Sequence, residues 1–385
     1  MRVLKLIRKN SGRHLLRTSL TILGMAIAVM AFAVIRTALD AWYAQAEASS
    51  PNRLVVTSAI SLTFTLPMAY ETKIRSIEGV TNVSYAQWFN GTYIDTKNFF
   101  PRFAVDHTTY FDMYPEYIIP PDEKADFFRE RNACMIGKRL ADRFGLKLGD
   151  PMHLTGDIFP GDWDFVIRAI FTGAKENTDE GVMFFRFDYL DERMREEAPA
   201  RAGQVGSFIV QIADPSQAAA ISEKIDAMFK NSLAETKTQT EEAFSLSFVA
   251  LASSIVMGLK VISILVIGII LMVLANTMAM TARERVAEYA VMKTLGFRAF
   301  HIIGLIFGES LLIACLGGVL GILFTFPVVG LMKAALSDFF GVFPLRLVTL
   351  LLAGTTSLVV GFTAAVFPTI KALRTSIVDG LRIVD

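Results

Sequence analysis

The chain has 385 residues, 53% of them hydrophobic and 19% charged, against the roughly 25% charged residues of an ordinary soluble domain. A mean hydropathy of +0.45, with 30 Phe and 16 Met, excludes a single ordinary soluble globule and points to apolar residues pooled into membrane spans. The formal net charge of +1 conceals two materials. Residues 40–250 hold 21 basic and 31 acidic side chains, net −10, whereas the other 174 residues hold 17 and 6, net +11, together with nearly all the long apolar runs.

The basic residues flank apolar runs and form no solvated patch with aromatic neighbours, which argues against nucleic-acid binding. Cys134, Cys315 and four His at unrelated spacings give neither a disulfide framework nor a metal pattern, so no metal site is expected.

In chain order, residues 1–17 form a basic N-terminus with Arg2, Lys5, Arg8, Lys9, Arg13 and Arg17 and no acid. A first transmembrane helix is predicted at 18–39, its apolar run at 18–35. Ala44-Gln45-Ala46 offers a leader-type cleavage sequence. It lies about ten residues beyond the apolar run, past Arg36 and Asp40, so a retained span is expected.

Residues 40–250 read as an α+β extracytoplasmic domain. A strand at 53–58, a helix at 67–77 and a strand at 80–85 make one βαβ-type unit. A strand at 207–212 and a helix opened by Asp214-Pro215-Ser216 and running to Phe229 begin a second, Asp at N-cap and Pro at N1 being strong start signals. Between them come short strands, a helix at 137–144, a turn at Gly149-Asp150-Pro151 and a hairpin around Phe159-Pro160-Gly161-Asp162. The pattern predicts a split βαβ framework with an inserted β-rich subdomain. No catalytic constellation emerges. His107 beside Asp106 and His153 near Asp157 read as surface residues, and the acidic run 191–197 as a solvated helix face. Trp88, Phe99, Phe100 and Trp163 read as core packing, with the lining of an apolar groove as the alternative.

Residues 251–275 form a stalk and the second span, with Lys260 about 24 Å up the helix from Asn276 and able to snorkel to the headgroups. A polar segment at 276–301 precedes a third span at 302–333. A short loop at 334–346, a fourth span at 347–368 and a tail at 369–385 complete the chain. Arg283, Arg285, Lys293 and Arg298 in the segment, and Lys371, Arg374 and Arg382 in the tail, join the basic N-terminus on the cytoplasmic side. The expected topology is four spans, N-in and C-in, with the acidic domain outside.

The segment from Asn276 to Phe297, NTMAMTARERVAEYAVMKTLGF, continues the second span as helix-forming sequence, and Gly296 is a natural C-terminal stop. Glu284 and Glu288 share one helix face at i,i+4, where like charges repel; Arg285 can partly offset Glu288. Paired carboxylates do not suit a helix lying on anionic lipid, so an external basic partner is expected. Glu309, in the third span, is either a functional intramembrane group or hydrogen-bonded to Asn276 or Thr277. Gly304-x-x-x-Gly308 and Gly317-x-x-x-Gly321 permit close helix contact, within the protomer or at a dimer seam.

Asn276-Thr277-Met278, Glu284-Arg285, Glu288 and Met292-Lys293 followed by Gly296 resemble the coupling segment of the FtsX/MacB-type permeases of ABC transporters, also called type VII or mechanotransmission permeases. Gly308-Glu309-Ser310, Pro368, Ala372-Leu373-Arg374, Arg17-Thr18, Leu23-Gly24 and the stretch GKRLADRFGLKLGD at 137–150 fit the same pattern.

The resemblance implies an α-helical membrane protein of a bacterial inner membrane, with four transmembrane helices and an α+β periplasmic domain. It also implies that the chain dimerises, as a homo- or heterodimer, with a second permease protomer. Asn276, Met280, Arg283, Glu284, Arg285, Glu288, Met292, Lys293 and Gly296 would dock on a cytoplasmic ABC ATPase. No G-x-x-x-x-G-K-[ST] phosphate loop is present, and only short basic sequence precedes Thr18, unlike MacB with its fused ATPase. ATP and Mg2+ are therefore expected to act through the partner, and no cofactor is expected on this non-catalytic chain. The expected function is efflux or hand-over of a substrate, with a periplasmic adaptor and an outer-membrane channel as further partners. The alternatives are a mechanotransmitting regulator of a cell-wall hydrolase or sensor kinase, and a lipoprotein-releasing permease.

Overall fold

The computed structural model describes residues 15–47, 49–96, 98–175, 178–251, 253–336 and 344–375. The expected cytoplasmic residues Arg2, Lys5, Arg8, Lys9, Arg13 and Arg382, and most of the 334–346 loop, lie outside the described residues. The chain divides into two compact units. The described residues of one fall within 15–41, 253–335 and 344–375, and those of the other within 42–251, with Leu336.

The first unit is a helical bundle. Among the described residues, four stretches are long and apolar enough to cross a membrane: Leu16–Ala41, Ser253–Glu284, Ala299–Lys333 and Leu347–Arg374. Small residues let these helices approach closely, as expected where lipid supplies no hydrophobic drive for association. A Cβ on Gly317 would lie 2.6 Å from Met25 Cβ, and one on Gly321 would lie 2.7 Å from Val29 Cβ. This pair therefore packs the third span on the first within the chain. Gly304 meets nothing within 4 Å, and Gly308 is half-buried.

The third and fourth spans meet at Gly361, where a Cβ would lie 2.5 Å from Ala314 Cβ. Two hydroxyls cross this contact, Ser310 donating to the Gly361 carbonyl and Ser357 to the Ala314 carbonyl, both at 2.6 Å. Near the other end of the bundle, buried Asp40 accepts from Thr349 Oγ1 at 2.7 Å and lies 3.4 Å from Arg36 Nε. The helix that begins at Leu15 runs on past it to Glu47.

The second unit is built on strands β1 (Arg53–Ser58), β2 (Leu66–Pro67), β3 (Val80–Trp88), β4 (Gly91–Thr92), β5 (Arg102–Val105), β6 (Tyr117–Ile118) and β7 (Ala133–Gly137). They are followed by β8 (Pro151–Gly156), β9 (Gly161–Gly173), β10 (Met183–Arg186), β11 (Gln204–Val205), β12 (Ser207–Ile212) and β13 (Thr236–Thr240). The main sheet runs β13-β1-β12-β3-β5-β10-β7-β9-β8-β4, with β6 on β9, and β2 pairs β11 separately.

At one end, β12 pairs antiparallel with both β1 and β3, and β1 with both β12 and β13. Helix Tyr70–Arg75 connects β1 to β3, and helix Ala218–Met228 connects β12 to β13. Each crossover thus skips one strand, which is a split βαβ unit used twice. Everything between β3 and β12 is the insertion, and it extends the same sheet from β5 outward.

Period-two alternation sorts side chains to two cores. Phe208, Val210 and Ile212 join Leu54, Ile74, Ile221 and Trp163 on one face, whereas Ile209 joins Val105, Phe127 and Phe184 on the other. Of the aromatics singled out in the sequence, Trp163 and Phe100 are core, Trp88 is half-buried and Phe99 is exposed. Asp191 departs from the expected solvated face. It is buried, accepts from the Gly203 amide at 2.5 Å and pairs with Arg195.

Candidate functional site

The second span stays helical to Glu284, and a separate helix, Val286–Thr294, follows after a break at Arg285 (φ −104, ψ 14). The sequence predicts one continuous helix here, because neither glycine nor proline stands at the break. The residue that leaves helical geometry is the one whose guanidinium is drawn sideways: Arg285 Nη1 donates to Glu309 Oε2 of the third span at 2.8 Å. Glu309 therefore takes Arg285, not Asn276 or Thr277, as the hydrogen-bond partner shown here. Thr277 Oγ1 donates back to the Val273 carbonyl. The short helix closes with both bonds of a Schellman turn, Gly296 N–H to the Lys293 carbonyl at 3.1 Å and Phe297 N–H to the Met292 carbonyl at 3.0 Å. Gly296 supplies the left-handed φ of +82 that this turn requires.

This elbow is tied to every other helix of the bundle. Glu284 accepts from Arg17 Nη2 of the first span at 2.8 Å. Arg285 reaches the third span. Lys293 Nζ donates to the carbonyls of Ala372, Leu373 and Thr375 at 3.3, 3.1 and 2.8 Å, so a cation sits on the negative end of the fourth helix. The ties differ in exposure. Arg285 and Glu309 keep 10% and 9% of their side-chain surface, whereas Arg17 and Glu284 keep 25% and 37%. Tyr289 packs beside the buried pair. Burial, with help from Glu309 and Glu288 and against the pull of Arg285, pushes its hydroxyl up to about 12.

The remaining predicted coupling residues divide by burial. Asn276, Met280, Arg283, Glu288 and Gly296 are exposed, Met292 is half-buried, and Arg285 is buried. The elbow and its flanks also expose Val291, Leu295, Phe297 and Phe300, which periodicity did not single out. Their signal is the apolar run interrupted by Lys293 and Arg298 just where a span has ended. Arg17 and Lys293 carried no sequence signal of their partners, which lie 267 and about 80 residues away.

The sheet unit has its own buried polar knot. Arg53, on β1, donates through Nε to Glu241 at 2.7 Å, through Nη2 to Glu116 at 2.5 Å and through Nη1 to the Met113 carbonyl at 2.8 Å, with the Tyr114 ring 4.1 Å away. Burial alone would lower the Arg53 pKa, but Glu116 and Glu241 hold it raised. Glu241 also accepts from the Ser50 amide at 2.8 Å. His153 pairs with Asp164 on the surface, and His107 packs edge-on against Phe128. Among the described residues no group of three or more His, Cys, Asp or Glu is placed to hold a metal ion.

Residues 18–228 match the MacB-like periplasmic core domain, and residues 260–377 the FtsX-like permease C-terminal domain. An uncharacterized ABC transporter permease protein of Mycobacterium tuberculosis is 25% identical over 276 residues, covering 68% of this chain. The chain spans 30% of that relative's length. The extracellular domain of the noncanonic ABC-type transporter YknZ from Gram-positive bacteria aligns over 49% of this chain and 100% of its own, with 12% identity and a TM-score of 0.36.

Proposed function

The chain belongs to the FtsX-like permease family with a MacB-like periplasmic core domain, and on that premise we propose that it is the membrane subunit of an ABC exporter. In this reading a separate cytoplasmic ATPase binds ATP and Mg2+, docks on the elbow and, through a dimer of permease protomers, moves the periplasmic domain to expel or hand over a substrate. The bundle is oriented with Arg17, the elbow and Arg374 in the cytoplasm, the side that collects Lys and Arg.

The observation that carries the reading is the elbow itself. It presents two exposed carboxylates, Glu284 and Glu288, and exposed apolar side chains at Met280, Val291, Leu295, Phe297 and Phe300. Apolar anchors rimmed by charge are what a protein interface needs. The end of the second span, the break and the short helix are together bonded to the first, third and fourth spans through Glu284, Arg285 and Lys293, so displacing the elbow displaces them. A docking surface that held only itself would transmit nothing.

The test is charge reversal at Glu284 and Glu288 together, in the full-length chain with its cognate ABC ATPase. The E284K/E288K variant should keep its oligomeric state but lose ATPase binding and coupled ATP hydrolysis. Undiminished binding and hydrolysis in a well-folded variant would refute the assignment of the elbow as the docking site.

A further inference from the structure

Two neighbouring residues, Glu284 and Arg285, hold two different spans with very different strength. Arg285 and Glu309 are nearly dry, and losing either partner would leave a buried charge uncompensated, so this tie stays closed. The Arg17–Glu284 tie is more open to solvent. It uses a single nitrogen of the guanidinium, because Arg17 Nη1 is buried without a hydrogen-bond partner. It therefore lacks the two-point geometry that makes an Arg–carboxylate pair strong. Exposed single-point pairs are readily exchanged for another cation.

We propose that docking displaces Arg17 from Glu284: a basic side chain of the cytoplasmic ATPase takes the carboxylate from Arg17. The first span's cytoplasmic end is thereby released, while the third and fourth spans stay fastened to the elbow through Glu309 and Lys293. This rests on the docking role given to the elbow above and adds which helix lets go. The first span is singled out by geometry. Its tie is an exposed contact to one nitrogen, whereas the third is held by a buried ion pair and the fourth by a lysine on three carbonyls.

If Arg17 competes with the ATPase for Glu284, removing Arg17 tightens ATPase binding. Arg17→Met in the full chain, reconstituted in lipid with the purified cognate ATPase, should bind about two- to fivefold more tightly, the factor an exposed ion pair corresponds to. Arg17→Lys should bind like the parent. Lys371→Met removes one exposed positive charge from the end of the fourth span without touching the bridge and should not reproduce the gain. Hydrogen exchange gives a readout that a general charge effect would not move: docking should speed exchange in the first turns of the first span and should not speed it anywhere in residues 285–309.

Unchanged or weaker binding by Arg17→Met, an equal gain from Lys371→Met, a gain from Arg17→Lys, or protection of the first span on docking would each overturn the exchange while leaving the docking site standing. Full binding by E284K/E288K would end both.

Discussion

Cutting the buried tie should be far more damaging than deleting it whole. Arg285 Nη1 and Glu309 Oε2 are 2.8 Å apart in a setting where each side chain keeps about a tenth of its surface. With charge centres about 4 Å apart and an effective dielectric of about 20, their attraction is about 4 kcal/mol. Glu309→Gln or Arg285→Gln removes that attraction and leaves the other charge buried, a loss of about 3–5 kcal/mol. The double variant R285M/E309M replaces both charges with apolar groups of similar length and should cost less than about 1 kcal/mol.

The assay is SDS-driven unfolding of the full chain followed by far-ultraviolet circular dichroism. Circular dichroism is preferred to tryptophan fluorescence because Trp88 and Trp163 lie on the sheet and would report its unfolding, not that of the bundle. Single variants within about 1 kcal/mol of the parent, or a double variant as unstable as the singles, would refute the reasoning.

Other contacts in the bundle and the sheet unit give further outcomes. Gly321→Val should destabilise the bundle by about 1–3 kcal/mol by overpacking, since even a Cβ there would come within 2.6 Å of the Ala26 carbonyl, whereas Gly304→Ala should be nearly neutral; paired SDS titrations compare them. Lys293→Met uncovers three carbonyls at the end of the fourth helix and should cost about 1–2 kcal/mol, seen as faster amide exchange over its last turn without loss of the other spans. In the sheet unit, burial and then Arg186 lower the His107 pKa below 6.5, against the opposing Asp188 and Asp106. The folded state thus favours neutral imidazole, and its contribution is fully present above pH 6.5 and is lost as pH falls toward the depressed folded value. Thermal melts by tryptophan fluorescence should fall over that window, and His107→Gln should remove that part of the fall. Asp188 is a separate case. Burial would raise its pKa, but Arg186 holds it below 3.8, so its contribution is lost only in more acidic solution.

The four spans, the acidic α+β domain between the first two and its paired βαβ units were legible because they rest on local quantities. Apolar run length decides a span, and period-two alternation with Asp214-Pro215 decides a strand and the helix after it. Asp214 does accept from the Ser216 amide at 2.9 Å, and Gly296 does take the left-handed turn. The Arg285 break was not legible. Arg-Glu-Arg-Val is good helix sequence, and the pull on Arg285 comes from Glu309, 24 residues later on another helix. Asp191 read as surface because its neighbours are charged, yet a single backbone amide from the chain after its helix buries it.

Composition and order alone determined that this chain crosses a membrane, carries an acidic head and offers paired carboxylates on a basic turn, since hydropathy, charge and helical spacing are sums over neighbours. Which carboxylate grips which span was decided only by the folded bundle. Glu284 and Glu309 are chemically the same group. Burial beside Arg285 makes one a fastening, and exposure beside Arg17 makes the other a contact that can be exchanged.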